Sequence, residues 1–352
     1  MQNRGIRWRR LLVGVLAFPL AACEVPTSLP KWNTVWIAPA QGTVIPVTAL
    51  LPAGITGTAD GAFLLSIPPV SAERTLGEAC SSCALGNGLV APKPKFTLTA
   101  TATAPLPDGV ISASLASGRV QVALHHDFGF DPLRPSATAR GYLLLVARNG
   151  ATTLVRDSID GSTLAWPRGT VLHRTLKINP TVLASGVTVS LTLYSPAGDP
   201  VRIDTDQKLT VTSAPGELRA SEATIRVADE TVDAQEVALD LGDIDETVTD
   251  HQKGGALLLD VANPFAVAGG LTLTITAPNA VINKTFALRT GAFTARVELS
   301  ESELRAILGR SPVHLSASGT VSAPEAGTTV KPSQSVAIDS RLELTIGSGE
   351  GM

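Results

Sequence analysis

Three stretches of the chain carry residue types that could do chemistry. The first is Cys80-Ser81-Ser82-Cys83. Haem attachment needs a His directly after the second cysteine, and Ala84 stands there. A thioredoxin-type redox pair wants a helix starting at the motif, whereas Ala84-Leu85-Gly86-Asn87-Gly88 reads as loop. A tetrahedral zinc site wants two further ligands, and the chain's only other cysteine is Cys23. The remaining reading is a structural disulfide between Cys80 and Cys83, closing a tight loop in an oxidising compartment. The second stretch is His125-His126-Asp127. Successive side chains on a strand point to opposite faces, so one His is expected in the core and one in solvent, with no shared metal. The third is 229–250, with nine acids and no Lys or Arg. Calcium favours clustered carboxylates, but the EF-hand spacing with its central glycine is missing. A solvated acidic edge that discourages strand pairing is the plainer reading. The chain has no Gly-x-Ser-x-Gly elbow, no phosphate-cradling glycine loop and no His-Glu-x-x-His. No catalytic, cofactor-binding or metal-ligating residue is assigned, and the expectation is a protein that is not an enzyme.

The elements that must position these residues begin with a targeting segment. Arg4, Arg7, Arg9 and Arg10 precede the apolar run Leu11 to Ala22. That run falls short of the ~20 residues a membrane-spanning helix needs and fits the h-region of a secretory signal. It ends in Leu20-Ala21-Ala22-Cys23, which resembles a bacterial lipobox. The resemblance implies that residues 1–22 are a signal peptide and that Cys23 becomes the lipidated first residue. It also implies an exported protein anchored to a bacterial membrane, the outer one where the envelope has one. Acyl chains, at ~0.8 kcal/mol per buried methylene, hold a protein on a bilayer without a spanning helix. Residues 23–33, with Pro26 and Pro30, read as a tether. Removing 1–22 takes away four arginines and no acid, so the formal charge moves from −3 to −7. An acidic body has no electrostatic reason to seek nucleic acid or anionic headgroups.

The rest of the chain alternates apolar and polar residues in short runs, such as Thr97 to Thr101, Val187 to Leu193 and Leu271 to Ile275. Period-2 alternation between Gly and Pro breaks means half-buried strands. The expected fold is all-β: tandem antiparallel β-sandwiches with one or two short helices. Residues 34–94 read as a small N-terminal β module carrying the Cys80–Cys83 loop, with Trp32 and Trp36 as core or edge anchors. Sliding the chain on itself suggests two copies of one sandwich, 95–213 and 217–346. Val122-Ala123-Leu124 falls on Leu257-Leu258-Leu259 and Phe130 on Phe265, at a shift of 135. Tyr142 to Val146 then match Leu271 to Ile275, Val187 to Ser190 match Val313 to Ser316, and Leu209 to Val211 match Leu342 to Leu344, with Asp131 to Arg140 as an added loop. The second copy resembles the LEA-type (water-stress) sandwich domain through Ala256 to Phe265, ending in Asn263-Pro264-Phe265, followed by Gly270 to Leu273. That resemblance implies a seven-stranded sandwich with a short helix. Ser300-Glu301-Ser302-Glu303 has capping-box spacing with Gly309 as the stop, and Asp243 to Lys253 is a second helix candidate.

These observations point to a lipid-anchored envelope protein that binds or spaces, its partners being the membrane and an envelope protein or an apolar ligand. The alternative is a carrier holding a lipid-like molecule in a sandwich groove, and behind it an envelope enzyme assembled from distant loops. An open apolar channel favours the carrier, a closed core the binding module, and converging His and acids in a deep pocket the enzyme.

Overall fold

The structure is a computed structural model describing residues 33–39, 42–242, 244 and 246–347. Residues 1–22, Cys23, the 23–32 part of the tether and Trp32 lie outside the described residues. In chain order the elements are β1 (Asn33–Pro39), β2 (Thr43–Pro46), β3 (Ile55–Gly57), β4 (Phe63–Leu65), β5 (Val70–Thr75), helix α1 (Leu76–Ala79), β6 (Val90–Lys93), β7 (Phe96–Ala104), β8 (Val110–His126), β9 (Tyr142–Asn149), β10 (Thr152–Asp160), β11 (Leu172–Ile178), β12 (Thr181–Leu183), β13 (Val187–Ser195), β14 (Gly198–Arg202) and β15 (Lys208–Ile225). There follow β16 (Glu230–Asp233), β17 (Val237–Leu239), α2 (Glu246–His251), β18 (Gln252–Asn263), β19 (Ala268–Ala277), β20 (Ala280–Leu288), β21 (Gly291–Leu299), α3 (Glu301–Ile307), β22 (Val313–Ser322), β23 (Thr328–Val330) and β24 (Ser335–Gly347). The chain is all-β, as its alternation requires. In β7 the inward set Phe96, Leu98, Ala100, Ala102 and Ala104 is buried and every residue between them is exposed.

Two sandwiches result, with every described pair antiparallel. In the first, the sheet β10-β9-β13-β7 packs on β11-β8-β15, whose other side is edged by β5. In the second, β20-β19-β22 with β16 and β17 on its edge packs on β21-β18-β24, edged by β1 and β2. The strand order is the same in both.

The N-terminal segment does not form a module of its own, contrary to the expectation for 34–94. β1 and β2 edge the second sandwich on β24, whereas β3, β4 and β5 join the sheet of the first, through β15. Short, half-buried strands cannot close a core alone and are used here to cover edges. No linker separates 213 from 217 either. Ala214-Pro215-Gly216 lies inside β15, and the register against β8 shifts between Pro215 and Leu218. Pro is tolerated in a strand at such a bulge.

β8 and β15 are therefore long enough to run through the first sandwich and on toward the second. Their far halves pair from Gly118–Leu218 to Val110–Ile225, where β23 adds on. The neighbouring end of the second sandwich holds Phe265, whose next residue, Ala266, donates its N–H to Thr328 Oγ1 at 2.9 Å. Asn33 pairs with Gly347 and Gln252 with Ile346, so β1 enters at the opposite end of that sandwich, beside α3. β8 has 17 residues and β18 has 12. At ~3.3 Å per residue these give about 55 and 40 Å of strand.

Both anticipated helices occur. Ser300 Oγ accepts the Glu303 N–H at 3.3 Å and the Glu303 carboxylate accepts the Ser300 N–H at 2.8 Å, while Gly309 takes φ 66° just past α3. α2 is shorter than Asp243 to Lys253. A third helix, α1, has the same reciprocal cap from Thr75 and Glu78.

Candidate functional site

The first sandwich departs from the second mainly in its loops, and the departures gather at one end. Between β8 and β9 it has 127–141 where the second has 264–267, and between β10 and β11 it has 161–171 where the second has 289–290. β6 and β14 pair beside them as a separate two-stranded sheet. All of this lies at the end away from the second sandwich. Loops on a rigid scaffold are where binding residues concentrate.

The corner beneath these loops is built on His126, which is fully buried. The Phe128 N–H donates to its Nδ1 at 3.2 Å, so the proton sits on Nε2, which donates to the Trp166 carbonyl at 3.0 Å. Burial pushes the His126 pKa down, against the opposing pull of the Trp166 carbonyl and of Asp131. His125 points the other way and is half-exposed, 3.6 Å from Asp127. One His packed and one turned to solvent is the arrangement that strand alternation requires.

Asn263 does the same work in the second sandwich. Its Oδ1 accepts the Phe265 N–H at 3.0 Å, and its Nδ2 donates to the carbonyls of Val267 and Arg289 at 3.0 and 2.9 Å. The Arg289 carbonyl lies in the β20–β21 turn, as the Trp166 carbonyl lies in the β10–β11 loop. His126 thus corresponds to Asn263 and Phe128 to Phe265, a shift of 137. The shift of 135 that pairs Phe130 with Phe265 is two residues off. A slip of two keeps every residue on its own face, so the hydrophobic pattern does not detect it. Matching Tyr142 to Leu271 is an odd slip, because Tyr142 is 44% exposed whereas Leu143 and Leu271 are buried. Leu209 faces His126 and Leu342 faces Leu257, so that match fails as well.

Asp131 ties the two inserted loops together. Its Oδ1 accepts the Leu133 N–H and its Oδ2 the Trp166 N–H, at 2.8 and 2.9 Å. The Trp166 indole is fully buried, stands edge-on to His126 at 4.4 Å and donates from Nε1 to the Thr170 carbonyl at 2.8 Å. Phe96, Phe128 and Phe130 pack in the same corner. A Cβ at Gly141 or Gly161 would collide with the Leu133 backbone, so only glycine lets the loops approach this closely.

Outside this corner opens a cleft of about 470 Å³ lined by residues of 129–137, β14 and Lys93. Lys93 is 4% exposed. Its Nζ donates to the Arg134 carbonyl at 2.9 Å and, at the long distance of 3.5 Å, to that of Asp131. Burial pushes the Lys93 pKa down, and the carboxylates of Asp131 and Asp199 oppose that shift. At the mouth Arg134 pairs with Asp199 at 3.2 Å, both largely exposed. Nothing in the sequence pattern singles out Lys93: Lys95, two residues on, is exposed, so simple alternation would put both on the solvent face.

The remaining candidates lie elsewhere or do other work. Cys80 and Cys83 pair as a disulfide, Cα atoms 5.3 Å apart, and both are buried. The turn they hold and the chain running on into β6 display Leu85, Leu89 and Val90, which are 90%, 60% and 73% exposed. Along 229–250, Glu236 pairs with His314 at 3.0 Å and Asp229 accepts from Ser322 at 2.9 Å. Among the described residues no three His, Cys, Asp or Glu converge in a metal-holding group.

Fold and site together define an all-β protein of two end-joined sandwiches, one of them elaborated at its free end. No family model matches the chain, and no curated protein matches it in sequence. Among solved structures it is similar to one described as "a putative secreted protein from Parabacteroides distasonis ATCC 8503", at 12% identity and a TM-score of 0.34 over 90% of this chain and 100% of that one. A Momordica charantia 7S globulin is similar at 8% identity and a TM-score of 0.11, over 72% of this chain and 81% of that one.

Proposed function

We propose that this is an exported, lipid-anchored cell-envelope protein that acts without catalysis, holding a binding end away from the membrane. The observation that carries the reading is the opposition of the two ends. Asn33 enters at the free end of the second sandwich, ten residues after Cys23 in the lipobox-like Leu20-Ala21-Ala22-Cys23. The inserted loops and the Lys93 cleft stand at the far end of the first sandwich. The continuous strands β8 and β15 between them favour a stiff spacer over a flexible one. Filled cores, with Leu98, Leu145, Leu191 and Val211 buried in the first sandwich and Leu259, Leu271 and Ile275 in the second, weigh against a carrier with an apolar groove. The Asn263-Pro264-Phe265 corner and the strand order around it support reading the second sandwich as LEA-like. Among the described residues no helix is long and apolar enough to cross a membrane.

The test has two parts. Cys23→Ser should move the protein out of the membrane fraction or leave the precursor uncleaved. In vesicles, a fluorophore at Ala137 should transfer little energy to an acceptor dye in the bilayer, and one at Arg305 much more. An unmodified mature N-terminus, or equal transfer from both positions, refutes the reading.

A further inference from the structure

The Lys93 cleft holds a cation that no carboxylate among the described residues contacts as an ion pair. An ammonium offers three N–H groups. The carbonyls of Arg134 and Asp131 accept two of them, the second at 3.5 Å. Among the described residues no carboxylate forms an ion pair with Lys93: Asp131 is committed to the backbone of Leu133 and Trp166, Asp199 to Arg134, and both act on Lys93 only through their nearby charge. Buried charges in proteins are ordinarily paired, because leaving water is costly for them. Here the unpaired cation borders a space of about 470 Å³, within the size range of small-molecule sites. The second cation, Arg134, stands at the same cleft. Its pair with Asp199 is exposed on both sides, at 69% and 77%, and such pairs are weak and exchangeable. Phe130 and Val201 supply an apolar wall.

We infer that the cleft binds a small organic carboxylate, Lys93 Nζ donating its free N–H to one oxygen while Arg134 turns from Asp199 to the other. The apolar part of the ligand lies against Phe130 and Val201. This deepens the reading of the far end as a binding end and is independent of how the chain is anchored. An anion beside Lys93 favours its charged form, whereas burial disfavours it. Affinity therefore falls as the pH is raised through the range in which unliganded Lys93 loses its proton.

The test uses the full chain in mild detergent, titrated with benzoate and with its neutral isostere benzamide. Benzoate should bind, weaken with added salt, and raise the unfolding temperature; benzamide should bind at least tenfold less tightly. Lys93→Met keeps the stem and removes the charge, and should cost benzoate at least tenfold in affinity. Arg134→Gln should cost several-fold, and Asp199→Asn, which frees Arg134 at an exposed position, should tighten binding. Equal affinity for benzoate and benzamide overturns the inference, as does benzoate binding that survives Lys93→Met. Failure of Asp199→Asn to tighten binding removes Arg134 from the site. None of these outcomes bears on Cys23, so a failure here leaves the anchoring proposal to its own test.

Discussion

Lowering the pH should loosen the first sandwich through His126. The ring is buried, and its two nitrogens are committed as one acceptor and one donor, to the Phe128 N–H and the Trp166 carbonyl. Protonation would turn Nδ1 into a donor facing the Phe128 N–H. The folded pKa lies below the unfolded value of about 6.5. Between the two values the unfolded chain binds the extra proton, so stability is fully present above pH ~6.5 and is lost as the pH falls through the folded pKa. The slope for one proton is at most about 1.4 kcal/mol per pH unit, and the loss by pH 5.5 at most about 1.4 kcal/mol. The assay is urea unfolding followed by the fluorescence of buried Trp166, from pH 8 to 5.5, on wild type and on His126→Asn. Asn263 fills the equivalent corner of the other sandwich, so Asn is the natural replacement. The other four histidines are common to both proteins and cancel in the difference. Wild type should lose more stability than the variant on acidification. If the two curves run parallel, or the variant is the more acid-sensitive, His126 is not held neutral by this corner.

Other outcomes follow from the same structure. Phe128→Ala and Phe265→Ala should each cost roughly 3–5 kcal/mol in urea unfolding, the usual range for a buried Phe; a cost below about 1 kcal/mol at Phe128 would undo its equivalence to Phe265. Reducing Cys80–Cys83 should cost about 1–3 kcal/mol, since very short loops gain least from closure; free thiols on non-reducing alkylation and mass spectrometry would show the pair is not bonded. Glu303→Ala removes the reciprocal cap of α3 and the 2.7 Å pair with Lys284, and should lower stability by about 1 kcal/mol in thermal unfolding.

Much of the fold is legible in the sequence because period-2 alternation is a local signal. β7 and β13 are readable residue by residue, and so is the cap of α3 from Ser300 and Glu303. The same spacing at Thr75 and Glu78 marks α1 and was there to be read. Partner choice is not local. Nothing in Thr34 to Pro39 announces that it pairs with Arg341 to Ile346, and Ala214-Pro215-Gly216 reads as a break until β8 is seen beside it. The repeat is visible as an order of strands but not as a register, since a shift of two leaves the pattern unchanged. The cleft is the least legible part. Lys93 is ordinary in sequence, and its burial depends on β14 and on a loop some 40 residues away.

The pairing of β1 with β24 ties the start of the described chain to its end, Asn33 against Gly347. A chain made from its N-terminus presents β1 long before β24 exists. Until Ser335 to Gly347 arrive, β1 and β2 have no ladder, and β18 lacks its neighbour on one side. The first sandwich needs β5 and β15 but little beyond residue 225, so it can close earlier. The order of maturation then runs against the order of the chain. The first strands of the described chain are among the last to settle, and the second sandwich is completed after the first.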